Sequence, residues 1–441
     1  MPSRDDDAFR LAMLLGEALI RGGASSAATT TCLQRMFTAL GMHDVTVAVT
    51  LGQIILSRPG RGQAGAITCL AEAPAGSLDL ELRQRAAGML EDLAQGRRSA
   101  HECLAELEQR SAHSDDHPSH LATTAGFSLL GVGFSMVMGG TLATTIAAAV
   151  LAVAAYAAFA AMQRLRAPGI FSLAAAGLTA VIGSTFAAFV SPETQTALCI
   201  VAALAAWLAG LTAYGAAQDI ITGWYLSATG RLLDVASRTA GLVAGVALGI
   251  HMMAPFVGES VQYIDALDPD GTSWAAAVTG AVLVAGGFAV ASRGRGMPLL
   301  ALAGLGGLTE VLVLATLGVG LSSYLAILSA AVAVGMLCVR LAPALGLPSN
   351  ASMMIALLPL FPGAAIYQGM LGTLFGVDGS GDELVAGAIT AFCLSMGGLL
   401  GQFLASRSPA TLQARGLEDS SADSQPYAAA PPADTLQHVR L

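Results

Sequence analysis

Residues 121–162 read LATTAGFSLLGVGFSMVMGGTLATTIAAAVLAVAAYAAFAAM, 42 positions without one Asp, Glu, Lys or Arg. A bilayer core takes about 20 helical residues, so the stretch predicts two spans meeting at Gly139-Gly140. Apolar runs of the same length recur to the end of the hydrophobic region. The reading gives ten: 122–139, 141–161, 170–190, 196–215, 236–257, 274–291, 298–317, 320–340, 351–373 and 383–405. Composition agrees. Of 441 residues 54% are hydrophobic and 12% charged, and the mean hydropathy is +0.66; a soluble chain carries about 25% charge. All 21 basic residues are Arg, and eleven of them lie within residues 1–120, as do fifteen of the 30 acids. The rest of the chain is too poor in charge to solvate a globular surface.

The charges that remain are ordered. Arg164 and Arg166, Arg231 and Arg238, Arg293 and Arg295, Arg340, and Arg407 with Arg415 all follow even-numbered spans. The other connections hold Glu193, Glu259, Asp265, Asp268, Asp270, Asp378, Asp382 and Glu383 without an Arg. Arg-rich connections stay in the cytoplasm, which predicts cytoplasmic N- and C-termini. MPSRDDDAFR lacks the basic start of a secretory leader.

Residues 1–110 read as a small cytoplasmic α/β domain. Helical spacing runs over 9–20, 26–40, 80–94 and 101–110. Val45, Val47 and Val49 alternate, Ile54-Ile55-Leu56 follows, and residues 67–70 make a third candidate strand. Residues 111–120 form a polar linker with His113, His117 and His120; Pro118 prevents a helix from setting the first two on one face, so a solvated hinge is expected rather than a metal site. The membrane part divides into residues 121–257, an external loop over 258–273, and residues 274–405. Residues 406–441 read as a disordered cytoplasmic tail.

Three places in the apolar region depart from plain span chemistry. Between spans four and five, Gly210 to Asp234 holds Tyr214, Gln218, Asp219, Arg231 and Asp234. A charge at the bilayer centre costs about 2.5–3.5 kcal/mol, so these groups face a cavity or a partner, or, for Arg231 and Asp234, the headgroups. Span nine carries Pro359-Leu-Phe-Pro362-Gly363, followed by Tyr367 and Gln368. Two prolines remove ladder donors and break or kink the helix. A broken helix exposes backbone groups that lipid cannot satisfy. Glu310 is an acid well inside span seven; it reads either as a proton carrier or as a carboxyl bonded to a neighbouring helix. Gly210-x-x-x-Tyr214 and Gly363-x-x-x-Tyr367 echo each other five spans apart. Two groups of five spans have opposite topology, the inverted-repeat plan of many carriers.

Other classes recede. A net charge of −9 disfavours nucleic acid. Six scattered cysteines show neither a disulfide framework nor a zinc spacing. There is no P-loop, HExxH or GxSxG, so neither an enzyme nor a cofactor is expected.

These residues resemble the threonine/serine exporter family of inner-membrane carriers. Ala18-Leu-Ile-Arg-Gly22-Gly-Ala24-Ser25, running to Ala39-Leu-Gly41, resembles its opening signature. Ala217-Gln218-Asp219-Ile, Gly223-x-Tyr225-Leu-Ser227 and Arg231-Leu resemble a second motif, and Pro359-x-x-Pro362-Gly363-x-x-x-Tyr367 a third. Two departures stand out: Ala209 occupies the place of the proline that commonly precedes the first glycine, and Ala228 with Gly230 displaces the glycine usual after Ser227. Whether the two halves break alike is left open by the first.

The resemblance implies a polytopic helical protein of two five-helix halves in the bacterial inner membrane, exporting threonine and serine on the proton gradient. On that reading the amino acid's carboxylate meets backbone N–H groups at Pro362-Gly363, beside Gln368, its ammonium meets Asp219, and its hydroxyl meets Gln218, Tyr214 or Tyr367. Glu310, then Asp219, would couple protons, while Arg231, Asp234 and Pro359 are structural or interfacial. The partners implied are a small amino acid, protons and lipid, with self-association open. A passive channel, a carrier of other small acids, and a membrane sensor working through the N-terminal part are the competing expectations.

Overall fold

The computed structural model describes residues 4–21, 26–50, 53–60, 66–72, 80–112, 120–208, 210–256, 272–294, 296–341 and 349–406. His113 and His117, most of the 258–273 loop, and the tail from 407 lie outside these residues.

The N-terminal part contains α1 (Arg4–Arg21), α2 (Ser26–Ala39), β1 (Thr46–Thr50), β2 (Gln53–Arg58), β3 (Ile67–Glu72), α3 (Leu80–Ala94) and α4 (Ala100–Ala112). The strands form one antiparallel sheet in the order β1-β2-β3. Val47 faces Leu56 and Val49 faces Ile54 across the first pair. These four side chains are buried against Leu11 and Leu15 of α1 and Leu33, Met36 and Phe37 of α2. A period-two pattern thus meets two amphipathic helices, the simplest way to bury one face of a small sheet.

The remainder is helical: α5 (His120–Val137), α6 (Leu142–Arg164), α7 (Gly169–Val190), α8 (Thr196–Leu204), α9 (Gly210–Ile221), α10 (Tyr225–Met253), α11 (Trp274–Ala291), α12 (Met297–Gly318), α13 (Ser323–Leu341), α14 (Ser349–Ala356), α15 (Gly363–Phe375) and α16 (Ser380–Ser406). Among the described residues seven helices are long and apolar enough to cross a bilayer, and an eighth is the α14–α15 pair, bent by 49°. The chain is a polytopic membrane protein.

The ten apolar runs correct in two places. The fourth is not one helix over 196–215: α8 ends at Leu204, and α9 starts afresh at Gly210. The fifth begins at Tyr225 rather than residue 236, so Arg231 and Asp234 lie inside α10. Gly223, at φ +82°, turns the chain between α9 and α10, a conformation glycine adopts without steric cost. The ninth breaks where the prolines predict. Leu358–Leu360 form a 3-10 turn, and Pro362 caps α15.

Packing repeats between the halves. α5 packs on α6 and α8 as α11 packs on α12 and α14. α7 packs on α8 and α10 as α13 packs on α14 and α16; α9 lies on α10 as α15 lies on α16. Across the halves α5 meets α11, α9 meets α16, and α10 meets α15. Small residues allow the close seams: a methyl on Gly245 of α10 would fall 2.0 Å from the Ala174 carbonyl, and one on Gly401 of α16 would fall 2.2 Å from that of Val332. Such faces associate helices where lipid supplies no hydrophobic drive.

The N-terminal part docks on both halves at one end of the bundle. The hydroxyls of Ser26 and Ser227 share a buried hydrogen bond of 3.0 Å. The Leu80 N–H donates to the Ser292 carbonyl at 2.9 Å. The Leu80 side chain is buried among Ala285, Ala289, Leu302, Ala351 and Ile355.

Candidate functional site

Each half contributes one interrupted helix, and the two interruptions touch. A methyl on Gly210 would lie 3.0 Å from the Gly363 nitrogen, and one on Gly363 would lie 3.1 Å from the Gly210 nitrogen. The N-termini of α9 and α15 therefore meet at a single point. The first turns of a helix leave N–H groups without intrahelical partners and carry its positive dipole end. Beside them is a cavity of about 40 Å³ lined by Phe134, Leu208, Gly210, Phe288, Phe361 and Gly363, among others. One water needs about 10–15 Å³ on this measure, so the space holds a few waters and not the eight heavy atoms of threonine.

The first break forms without a proline. Phe361 supplies one reason: its ring stacks on Tyr214, with centroids 5.2 Å apart, and its Cβ stands 2.9 Å from where a Gly210 methyl would be. The crossing partner leaves no room for a side chain at position 210. The open question of symmetry resolves to a break in both halves.

A second polar group lies toward the other end of α9. Asp219 is fully buried. Its Oδ2 accepts from Nε of Arg231 at 2.8 Å, while its Oδ1 has no hydrogen-bond partner. Arg231 Nη1 lies 2.8 Å from where a methyl on Gly215 would stand; the missing side chain, one turn before Asp219, makes room for the guanidinium. Gln218 Nε2 reaches Asn350 Oδ1 at 3.5 Å, linking α9 to the start of α14. Asp234 pairs with Arg238 on the α10 surface, at 2.8 Å.

Glu310 is buried on α12, with Oε2 unpartnered. Its neighbour Thr309 donates to the carbonyls of Leu305 and Ala356, both at 2.9 Å. Ala356 is the last residue of α14, so Thr309 covers a carbonyl at the second break; Glu310 does not line the cavity at the crossing. Tyr214 and Tyr367 are buried with unpartnered hydroxyls, and neither lines the cavity. The Tyr214 hydroxyl faces Gly398 of α16, whose neighbour Ser395 donates to the Tyr214 carbonyl at 2.9 Å.

The structure brings Gly210, Phe361, Pro362 and Gly363 together, and it brings Asp219 to Arg231 and Gln218 to Asn350. It does not join these groups. Nine residues of α9 separate Gly210 from Asp219, roughly 14 Å at helical rise. One small amino acid cannot hold its carboxylate at the break and its ammonium on Asp219 at once. Asn350, Phe361, Ser395 and Gly215 were missed by sequence reasoning. Asn350 carried a readable signal, a lone amide in an otherwise apolar run beside Pro348; the others have none that a single sequence displays.

Comparison with known proteins adds the family. A profile described as "Putative threonine/serine exporter" matches residues 10–253, and one described as "Threonine/Serine exporter, ThrE" matches residues 277–404. The "Probable threonine/serine exporter" of Mycobacterium tuberculosis is 27% identical over 411 residues, covering 90% of this chain and 76% of that protein. The "Threonine/serine exporter" of Corynebacterium glutamicum is 28% identical over 416 residues, covering 90% and 82%. No solved structure matches the chain significantly.

Proposed function

The chain belongs to the threonine/serine exporter family, a family of transporters and not of enzymes, and from that premise we propose that it exports threonine and serine from the bacterial cytoplasm in exchange for protons. The observation that carries this reading is the meeting of two half-helix N-termini at Gly210 and Gly363. Such ends hold a substrate carboxylate in carriers built of repeated halves. The few-water cavity beside them is then the site in a contracted form.

The orientation and the count of spans follow in the same reading. With the two interrupted helices each counted as one span, ten spans form two five-span halves, and odd halves are inverted. Ser227 lies in the first turn of α10, which carries Arg231 and Arg238, and Ser292 caps α11 just before Arg293. By the positive-inside rule that end is cytoplasmic, with both termini and the N-terminal part on that side of the inner membrane. Asp219, Arg231, Gln218 and Asn350 make a polar station near this end, and the crossing makes a second, deeper one. Gln368 and the hydroxyls of Tyr214 and Tyr367 come into play in open conformations. Glu310, buried on α12 next to Thr309 in sequence, carries the proton.

Labelled threonine and serine, compared with other amino acids in inverted vesicles with and without an uncoupler, test the reading. Uptake of the two hydroxy amino acids that collapses with the gradient is expected. Uptake indifferent to the uncoupler would make the protein a passive facilitator. Glu310→Gln with gradient-driven uptake intact would remove Glu310 from the coupling step.

A further inference from the structure

The ion pair on α9 and α10 poses a question that the crossing does not answer: what holds Asp219 when no substrate is present. We propose that Arg231 is a resident counter-ion, which occupies Asp219 in the empty carrier and gives way to the ammonium group of the amino acid in the loaded one. The inference rests on the export reading and deepens it by assigning a positioning residue to the return of the empty carrier.

Four observations carry it. Asp219 is fully buried, so its carboxyl needs a cation or a proton in every state the carrier passes through. Contact with Arg231 runs through one nitrogen, Nε to Oδ2 at 2.8 Å, and the fork geometry that two parallel bonds would give is not used. Asp219 Oδ1 stays buried and unpartnered, an acceptor left over for a second donor. The guanidinium lies over Gly215 while it holds Asp219, with Nη1 2.8 Å from where a methyl would stand, so α9 puts no side chain against it there. A cation held by one bond and not walled in at 215 can leave and return without rebuilding the helix.

The surroundings fit an exchange step. Ser227, one turn before Arg231 on α10, is held by Ser26 of α2, so the turn that carries the guanidinium is fixed from the N-terminal part. Gln218, next to Asp219 in sequence, reaches Asn350 of α14, and the two amides are offered to an incoming zwitterion. When the ammonium takes Oδ1 and then displaces Nε, the freed guanidinium is beside the amino acid's carboxylate. The exchange forms no covalent bond and conserves charge inside the protein.

The test separates two fluxes in proteoliposomes containing the full-length protein. Threonine/threonine exchange, read by counterflow of labelled threonine, uses only the loaded carrier; net efflux also needs the empty carrier to return. For Arg231→Gln the expected result is net efflux lower by about a hundredfold, as a buried uncompensated charge blocks the return, with exchange lowered by far less. Arg231→Lys keeps a cation within reach and is expected to keep both fluxes. Any other pattern overturns the proposal: unaltered net efflux in Arg231→Gln, an equal fall of both fluxes, or loss of net efflux in Arg231→Lys. Wild-type protein showing neither flux would instead sink the export reading, and this proposal with it.

Discussion

Gly363→Ala probes the crossing most directly. The added methyl would sit 2.7 Å from Leu208 Cβ and 3.1 Å from the Gly210 nitrogen. Carbon atoms are at ease about 3.5–4.0 Å apart, so roughly 0.8 Å has to be recovered. Neither neighbour is the free end of a side chain, and the backbone of one interrupted helix must therefore move. Overpacking of this kind costs about 1–3 kcal/mol, and alanine returns at most about 1 kcal/mol over glycine in helix propensity. The net cost of about 0–2 kcal/mol falls on the crossed arrangement, a change of up to about thirtyfold in its population. Gly304→Ala is the control, since a methyl there meets nothing within 4 Å. It is expected to stabilise α12 by about 0.5–1 kcal/mol and to leave transport unchanged. The assay is labelled threonine uptake in inverted vesicles beside the apparent melting temperature in detergent. Gly363→Ala should lower uptake, and lower melting relative to Gly304→Ala. Equal melting and equal uptake in the two variants would refute the contact on which the site is built.

Three further outcomes are open to measurement. Tyr214→Phe removes a buried hydroxyl without a partner and should stabilise the protein by up to about 1–3 kcal/mol; a lower melting temperature would mean that the hydroxyl is satisfied. Leu80→Ala empties the seat among Ala285, Ala289, Leu302, Ala351 and Ile355, at about 2–5 kcal/mol. Hydrogen exchange should quicken at α3 and at the start of α12 while the α13–α16 pair stays protected, and unchanged exchange at α3 would count against the docking. In α4, the Ser99 N–H donates to the Glu102 carboxylate at 2.9 Å, and Ser99 Oγ accepts from the Glu102 N–H at 3.3 Å. The first bond holds the Glu102 carboxyl below its ordinary range. Its support of the helix is thus complete above the unfolded value of about 4.3, and is lost as pH falls through the lower folded value. Exchange protection of the first turn of α4 should drop in that acid window and should lose this pH dependence in Glu102→Gln.

Much of the architecture could be read from one chain because it depends on local chemistry. The 42 uncharged residues over 121–162 could only be paired spans, and α5 and α6 separate at Gly139-Gly140. Pro359 and Pro362 lack the donors that a helix needs, so the break in the ninth run was legible. Alternation of Val45, Val47 and Val49 marked the strand now seen as β1 (Thr46–Thr50). The break before Gly210 was not legible, for no local rule forbids a helix through residues 205–210; what goes with it is a close approach to Phe361 and Gly363, some 150 residues away.

The same division holds for the site. Sequence alone determined that Asp219, Arg231 and Glu310 needed partners or a cavity, since the cost of charge in lipid belongs to the residue type. It also determined that Pro362-Gly363 would start a half-helix. Only the tertiary structure decided who meets whom: that Arg231 holds Asp219, that Gly363 meets Gly210, and that roughly 14 Å of α9 keeps those two meetings apart. Desolvation and backbone geometry act within a few residues and leave a trace in the local sequence. The choice of partner is made by helices packing across hundreds of positions, and one sequence carries no record of that distance.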